Sequence, residues 1–154
     1  MWAKAYYLAV VGSAGSTPEV EELAYQVGFA IAQRNSVLLC GGREGVMAAA
    51  ARGARDGGGI AIGILPGTDR SEANPYLHIA LPTGLGDARN AVIVCAADAL
   101  IAVSGGYGTL SEVALALKKR KPVIALEFSF SGIPGVCLAK TPYEAVELAI
   151  KKIT

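Results

Sequence analysis

A chain of 154 residues has the usual size of one domain, and residues 1–154 are read as a single unit that can bury its own core. Hydrophobic residues make up 53% and charged residues 18%, so part of the apolar surface is expected to lie between subunits of a homodimer or larger homo-oligomer. Fourteen Lys and Arg against thirteen Asp and Glu leave a net charge of +1, which offers no broad field for nucleic acid or an anionic membrane.

Cys40, Cys95 and Cys137 lack any paired metal spacing. They read as reduced cysteines of a cytoplasmic protein with no metal site. The opening "AYYLAVV" reads as a first strand and not as a leader, and "AVIVCAADALIAV" (91–103) is too short to span a bilayer.

In chain order, short apolar runs alternate with helical stretches. "YYLAVVG" precedes a helix from about Pro18, with Ser16 and Glu19 at capping-box spacing. "SVLLC" precedes a helix from about Glu44. "IAIGIL" leads into a turn-rich surface loop, "LHIAL" into a helix near 86–97, "ALIAVS" into a helix from Thr109, and "PVIAL" into a final helix from about Pro142. Strand–helix alternation with strands apolar throughout predicts an α/β fold, a Rossmann-like three-layer sandwich with a mostly parallel sheet. The basic run Lys118–Lys121 reads as a solvated helix end before Pro122.

In such a sheet, ligands bind beyond the carboxyl ends of the strands. The glycine-rich stretches all fall there: "GSAGST", "GGREGVM", "PGTD", "PTGLGDARN" and "SGGYGT". Two of them run directly into a helix, so their backbone N–H groups and the helix dipole can meet a phosphate. The candidate phosphate-binding residues are Gly12, Ser13, Gly41, Gly42, Gly45, Ser104, Gly105, Gly106, Tyr107, Gly108 and Thr109. Tyr107 could also stack on a base. Neither turn is a dinucleotide fingerprint or a P-loop.

"CGGREGVMAAAARGARDGGGIAIGILPG" followed by "SGGYGTLSE" resembles the Lonely Guy (LOG) and molybdenum-cofactor-carrier superfamily, over about residues 8–126. The resemblance implies a Rossmann-like homodimer whose "GGYGT" turn holds the phosphate of a nucleotide or a molybdopterin-type compound, with no cofactor required for chemistry. Its enzyme branch hydrolyses nucleoside 5′-monophosphates to free base and ribose 5-phosphate, with the hallmarks P-G-G-x-G-T-x-x-E and E-R-K. Glu112 matches the Glu of the first and Arg89 the Arg of the second, which makes them the candidate catalytic pair.

Three positions depart from those hallmarks. Ser104 replaces Pro, Ser111 replaces the Glu before Glu112, and Ala88-Arg89-Asn90 replaces E-R-K. The chain therefore looks closer to the carrier-like branch. Members are often labelled lysine decarboxylases, but Lys4, Lys118, Lys119, Lys121, Lys140, Lys151 and Lys152 all lie outside the glycine loops, so no pyridoxal phosphate Schiff base is expected. Glu112 keeps two readings, because Thr109-x-x-Glu112 is also a capping box. His78, the single histidine, reads as structural inside the strand "LHIAL".

Overall fold

The computed structural model describes residues 4–154. Seven strands form one sheet: β1 (Tyr7–Val11), β2 (Val37–Cys40), β3 (Ile60–Leu65), β4 (Ile79–Pro82), β5 (Ala99–Val103), β6 (Val123–Leu126) and β7 (Val136–Leu138). Among the described residues, five α-helices accompany them: α1 (Pro18–Gln33), α2 (Val46–Asp56), α3 (Arg89–Ala96), α4 (Tyr107–Lys118) and α5 (Pro142–Ile153). The order is β4-β3-β2-β1-β5-β6-β7, with every pairing parallel. No helix among the described residues is long and apolar enough to cross a membrane.

Central strands are buried on both faces, whereas the edge strand β4 is largely exposed and β7 partly so. Alternate residues of β1 serve different cores. Leu8 and Val10 pack with α1, α2 and α5, while Ala9 and Val11 pack with α3 and α4. A sheet covered on both sides needs apolar residues at every position, which is why its strands read as continuous runs.

The first helix is capped one residue later than its sequence suggests. The Thr17 side chain accepts from Val20 N at 3.2 Å, and Ser16 Oγ donates to the Glu21 carboxylate at 3.0 Å. Pro18 occupies the first turn as expected. His78 stands one residue before β4, where its Nδ1 accepts from Ala61 N at 3.1 Å. Lys121 is half-buried and does more than face solvent: Nζ donates to the carbonyls of Val94, Cys95 and Ala97 at 2.7, 2.8 and 2.6 Å. It therefore satisfies the carboxyl end of α3, the end of a helix where a cation is favoured.

Helices α1 and α2 meet backbone to backbone. A Cβ on Gly28 would collide with the Ala50 carbonyl, and one on Gly53 with the Tyr25 carbonyl. Gly→Ala inside an ordinary helix gains about 0.5–1 kcal/mol. Here overpacking outweighs that gain, and Gly53→Ala is expected to lower stability by about 1–3 kcal/mol, read as a lower urea midpoint. An unchanged or raised midpoint would contradict the close crossing.

Candidate functional site

Strand order reverses direction between β1 and β5, and the loops leaving these two neighbours part to open a cleft. After β1 the chain turns at Gly12, where a Cβ would lie 2.6 Å from the Val46 side chain and 2.7 Å from the Val103 carbonyl. After β5 it passes Ser104 (φ 56°) and Gly105 (φ 114°) before α4 begins. A side chain on Gly105 would also meet Thr109 at 2.5 Å, so glycine is required there on two counts.

Helix α4 starts at Tyr107, two residues earlier than expected, with Gly106 as its cap, a residue that has no side chain to bond the first-turn amides. This start removes the capping-box reading of Glu112. Thr109 is the third helical residue and not the cap, so Glu112 lies too far into the helix to reach back to a cap amide. Glu112 is instead 8% exposed, and its Oε2 has no hydrogen-bond partner among the described residues. Burial pushes this carboxyl up to about 8, with nearby Arg89 pulling the other way.

Arg89 opens α3 and points back beneath the sheet edge. Its Nη1 donates to the carbonyls of Gly41 and Ile64, both at 2.7 Å, and its Nε to Asn90 Oδ1 at 2.8 Å. Burial lowers the guanidinium from its usual value, and Glu112 partly opposes this. The ion pairs among the described residues are Arg34–Glu147 and Arg55–Asp56, so no salt bridge joins Arg89 to Glu112. Asn90 continues the network: Nδ2 donates to Ser111 Oγ at 3.3 Å, and that hydroxyl donates to the Gly108 carbonyl at 2.6 Å. Two separate departures from the hydrolase hallmark, Asn90 and Ser111, are thus bonded to each other.

A cavity of about 340 Å³ fills the cleft. Among the expected residues, Gly12, Ser13, Arg89 and Glu112 line it together with the Gly106–Thr109 turn. Asp87, Asn90, Ala14 and Met47 complete the wall. Nothing in the sequence marks Asp87 and Asn90 as wall residues, because spacing does not show which way the start of α3 faces.

Gly41, Gly42, Gly45, Ser104 and Gly105 do not line the cavity. A Cβ on Gly41 would lie 2.7 Å from Arg89 Nη1, so this glycine makes room for the guanidinium. Gly42 packs on Leu65, and Gly45 sits against the carbonyls of Ser13 and Ala14. Ser104 Oγ faces Ser129 Oγ at 3.4 Å. The second glycine cluster therefore supports the site sterically from behind. Cys40 lies there too, its thiol pushed up to about 12 by burial.

A roomier groove of about 450 Å³ runs between α1 and α5, but its walls are mostly apolar, including Tyr25, Phe29, Pro142 and Tyr143. The buried carboxyl, the guanidinium and the glycine-capped start of α4 all belong to the smaller cleft. Among the described residues, no group of three or more His, Cys, Asp or Glu is placed to hold a metal ion.

Comparison with known proteins gives the same architecture. A solved molybdenum cofactor binding protein from Rippkaea orientalis superposes with a TM-score of 0.90 at 39% identity, covering 98% of this chain and 99% of that one. The Moco carrier protein of Chlamydomonas reinhardtii gives 0.87 at 34% identity, covering 97% and 98%. A protein of Archaeoglobus fulgidus is 42% identical over 147 residues, 96% of either chain. A cytokinin riboside 5′-monophosphate phosphoribohydrolase of Mycobacterium marinum is 36% identical over 115 residues, covering 73% of this chain and 60% of that enzyme. These relatives place the chain in the superfamily shared by LOG enzymes and Moco carriers, and with residues 5–150 matching the family itself, it belongs to the SLOG cluster4 family.

Proposed function

We propose that this chain binds and holds a small phosphorylated ligand of the nucleotide or molybdopterin type, with the phosphate seated on the first turn of α4. One observation carries the reading: α4 opens into the cleft through Gly106 with no side chain on its first-turn amides. Those N–H groups lack intrahelical acceptors, and the helix dipole adds positive potential where they point. Gly106 and Gly108 leave the approach free, since a Cβ on Gly106 would meet nothing nearer than Ser13 Oγ at 3.7 Å and one on Gly108 nothing within 4 Å. Ser13 supplies a hydroxyl to the same space, and Arg89 a fixed positive charge.

The protonation of Glu112 favours holding over hydrolysing. Departure of an N-linked base leaves cationic character on the ribose, which an ionised carboxylate stabilises and a neutral acid does not. With its carboxyl pushed up to about 8, Glu112 carries its proton at neutral pH. In that form it offers an O–H donor and a carbonyl acceptor to a polar ligand edge. The relatives described as Moco binding and carrier proteins support the same reading. If a molybdopterin-type compound is held, these residues would bind its phosphate and its polar ring edge, and the metal chemistry belongs to the cargo.

A second reading, nucleoside 5′-monophosphate phosphoribohydrolase, rests on Arg89 and Glu112 sharing one cavity. Mass spectrometry of ligand extracted from natively purified protein separates the two, together with incubation with AMP, GMP and CMP at pH 7 and pH 9. Binding without turnover predicts a retained phosphorylated compound and no free base. Base release that grows with pH and disappears in Glu112→Ala would establish hydrolysis. No retained ligand, with no thermal shift from these nucleotides or ribose 5-phosphate, would overturn both.

Protonation of Glu112 is separately measurable. Its folded-state value lies above the ordinary 4.5, so the folded protein holds a proton that the unfolded chain releases between about 4.5 and 8. Wild type should lose stability as pH rises through that window, whereas Glu112→Gln should not. Thermal unfolding from pH 4 to 9 should show the variant gaining on wild type with pH. A constant difference would contradict a raised carboxyl.

A further inference from the structure

Beside the cleft stands a group of aromatic rings that the phosphate site does not use. Tyr107, first residue of α4, lines the cavity yet is 84% exposed. Its ring centroid lies 6.1 Å from that of Phe130, with planes at 40°. Phe130 in turn meets Phe128 edge-on at 5.7 Å and 65°. Two of the chain's three phenylalanines thus stand at one end of the cleft, on the loop that follows β6.

Core packing does not account for them. Phe130 belongs to neither core cluster, and Phe128 is a half-buried residue at the margin of one. Both rings instead wall a second cavity of about 170 Å³, closed by Ile133, Val136 and Leu138. The loop is held to the phosphate turn through Ser129 and Ser104, whose hydroxyl oxygens lie 3.4 Å apart. It leaves β6 through Glu127 in the left-handed region at φ 48°, a conformation that a non-glycine residue adopts at some cost.

We propose that Tyr107, backed by Phe130 and Phe128, is the stacking platform for a planar heteroaromatic ring carried by the phosphorylated ligand. This inference rests on the phosphate site described above. A phosphate on the amides of the first turn brings the rest of the ligand beside Tyr107, because that residue belongs to the same turn. The Tyr107 ring is 84% exposed and so open to it, with Phe130 standing 6.1 Å away on its other flank as a neighbouring ring. Aromatic stacking accepts any heterocycle with a π-face, so the platform selects for a purine or pterin class of ligand over a bare sugar phosphate.

Calorimetric titration of the full chain with GMP and with ribose 5-phosphate tests this, using the ratio of the two affinities as the readout. Losing a stacking partner weakens binding of a base about tenfold. The GMP to ribose 5-phosphate ratio should therefore fall about tenfold in Tyr107→Ser, fall by a smaller factor in Phe130→Leu, and persist in Tyr107→Phe. A ratio unchanged in both Tyr107→Ser and Phe130→Leu, or equal losses for the two probes, would overturn the platform while leaving the phosphate site standing. Wild type that binds neither probe would overturn the phosphate site and the platform with it. Should Tyr107→Ser fail to fold, the ratio in Phe130→Leu decides.

Discussion

The site depends on the reversal of strand order at β1 and β5. In a sheet whose strands are all parallel, every carboxyl end lies on one edge, but only where successive connections lead to opposite sides do neighbouring loops part. The residues that line the cavity are arranged around that gap. The β1 loop supplies Gly12 and Ser13, the β5 loop delivers α4 with no side chain on its first-turn amides, and the start of α3 brings Arg89.

Arg89 illustrates how a cation is kept beside a buried carboxyl without neutralising it. Two backbone carbonyls and the Asn90 side chain hold its Nη1 and Nε. Hydrogen bonds from a charged donor contribute about 1.5–3 kcal/mol each, so the guanidinium is fixed more by these acceptors than by distant Coulomb attraction. Glu112 is left desolvated and short of a partner, a state that is tolerated because the carboxyl can keep its proton. A buried polar atom without a partner in a cleft is a reason to look for a ligand that supplies one.

Much of the architecture was legible in the sequence because two-sided burial and glycine punctuation are local signals. Six strand runs, the parallel sheet and the convergence of glycine loops follow from them. The short strand β7 left no such trace, since three residues, two of them half-buried and one exposed, carry no pattern. Local spacing also misled where two chemistries share one pattern. Thr109-x-x-Glu112 looks like a capping box, yet Gly106 takes the cap and carries the helix two residues further back. Lys121 looks solvated within a basic run, yet tertiary folding sets it against the free carbonyls of α3. The same limit applies to the site itself. Arg89, Glu112 and the "GGYGT" turn were recognisable by motif, whereas the contact between Asn90 and Ser111, and the supporting position of Gly41, Gly42 and Gly45, require knowing which elements face each other.

The central claim is one of place: a phosphorylated ligand sits on the first turn of α4, against a neutral Glu112. Titrating GMP into 15N-labelled protein and following backbone amide shifts locates it most directly. The largest shifts should fall on Gly106, Tyr107, Gly108 and Thr109, with smaller ones at Gly12 and Ser13. Shifts concentrated instead on the α1–α5 groove around Phe29 and Tyr143, or spread without focus, would contradict the account.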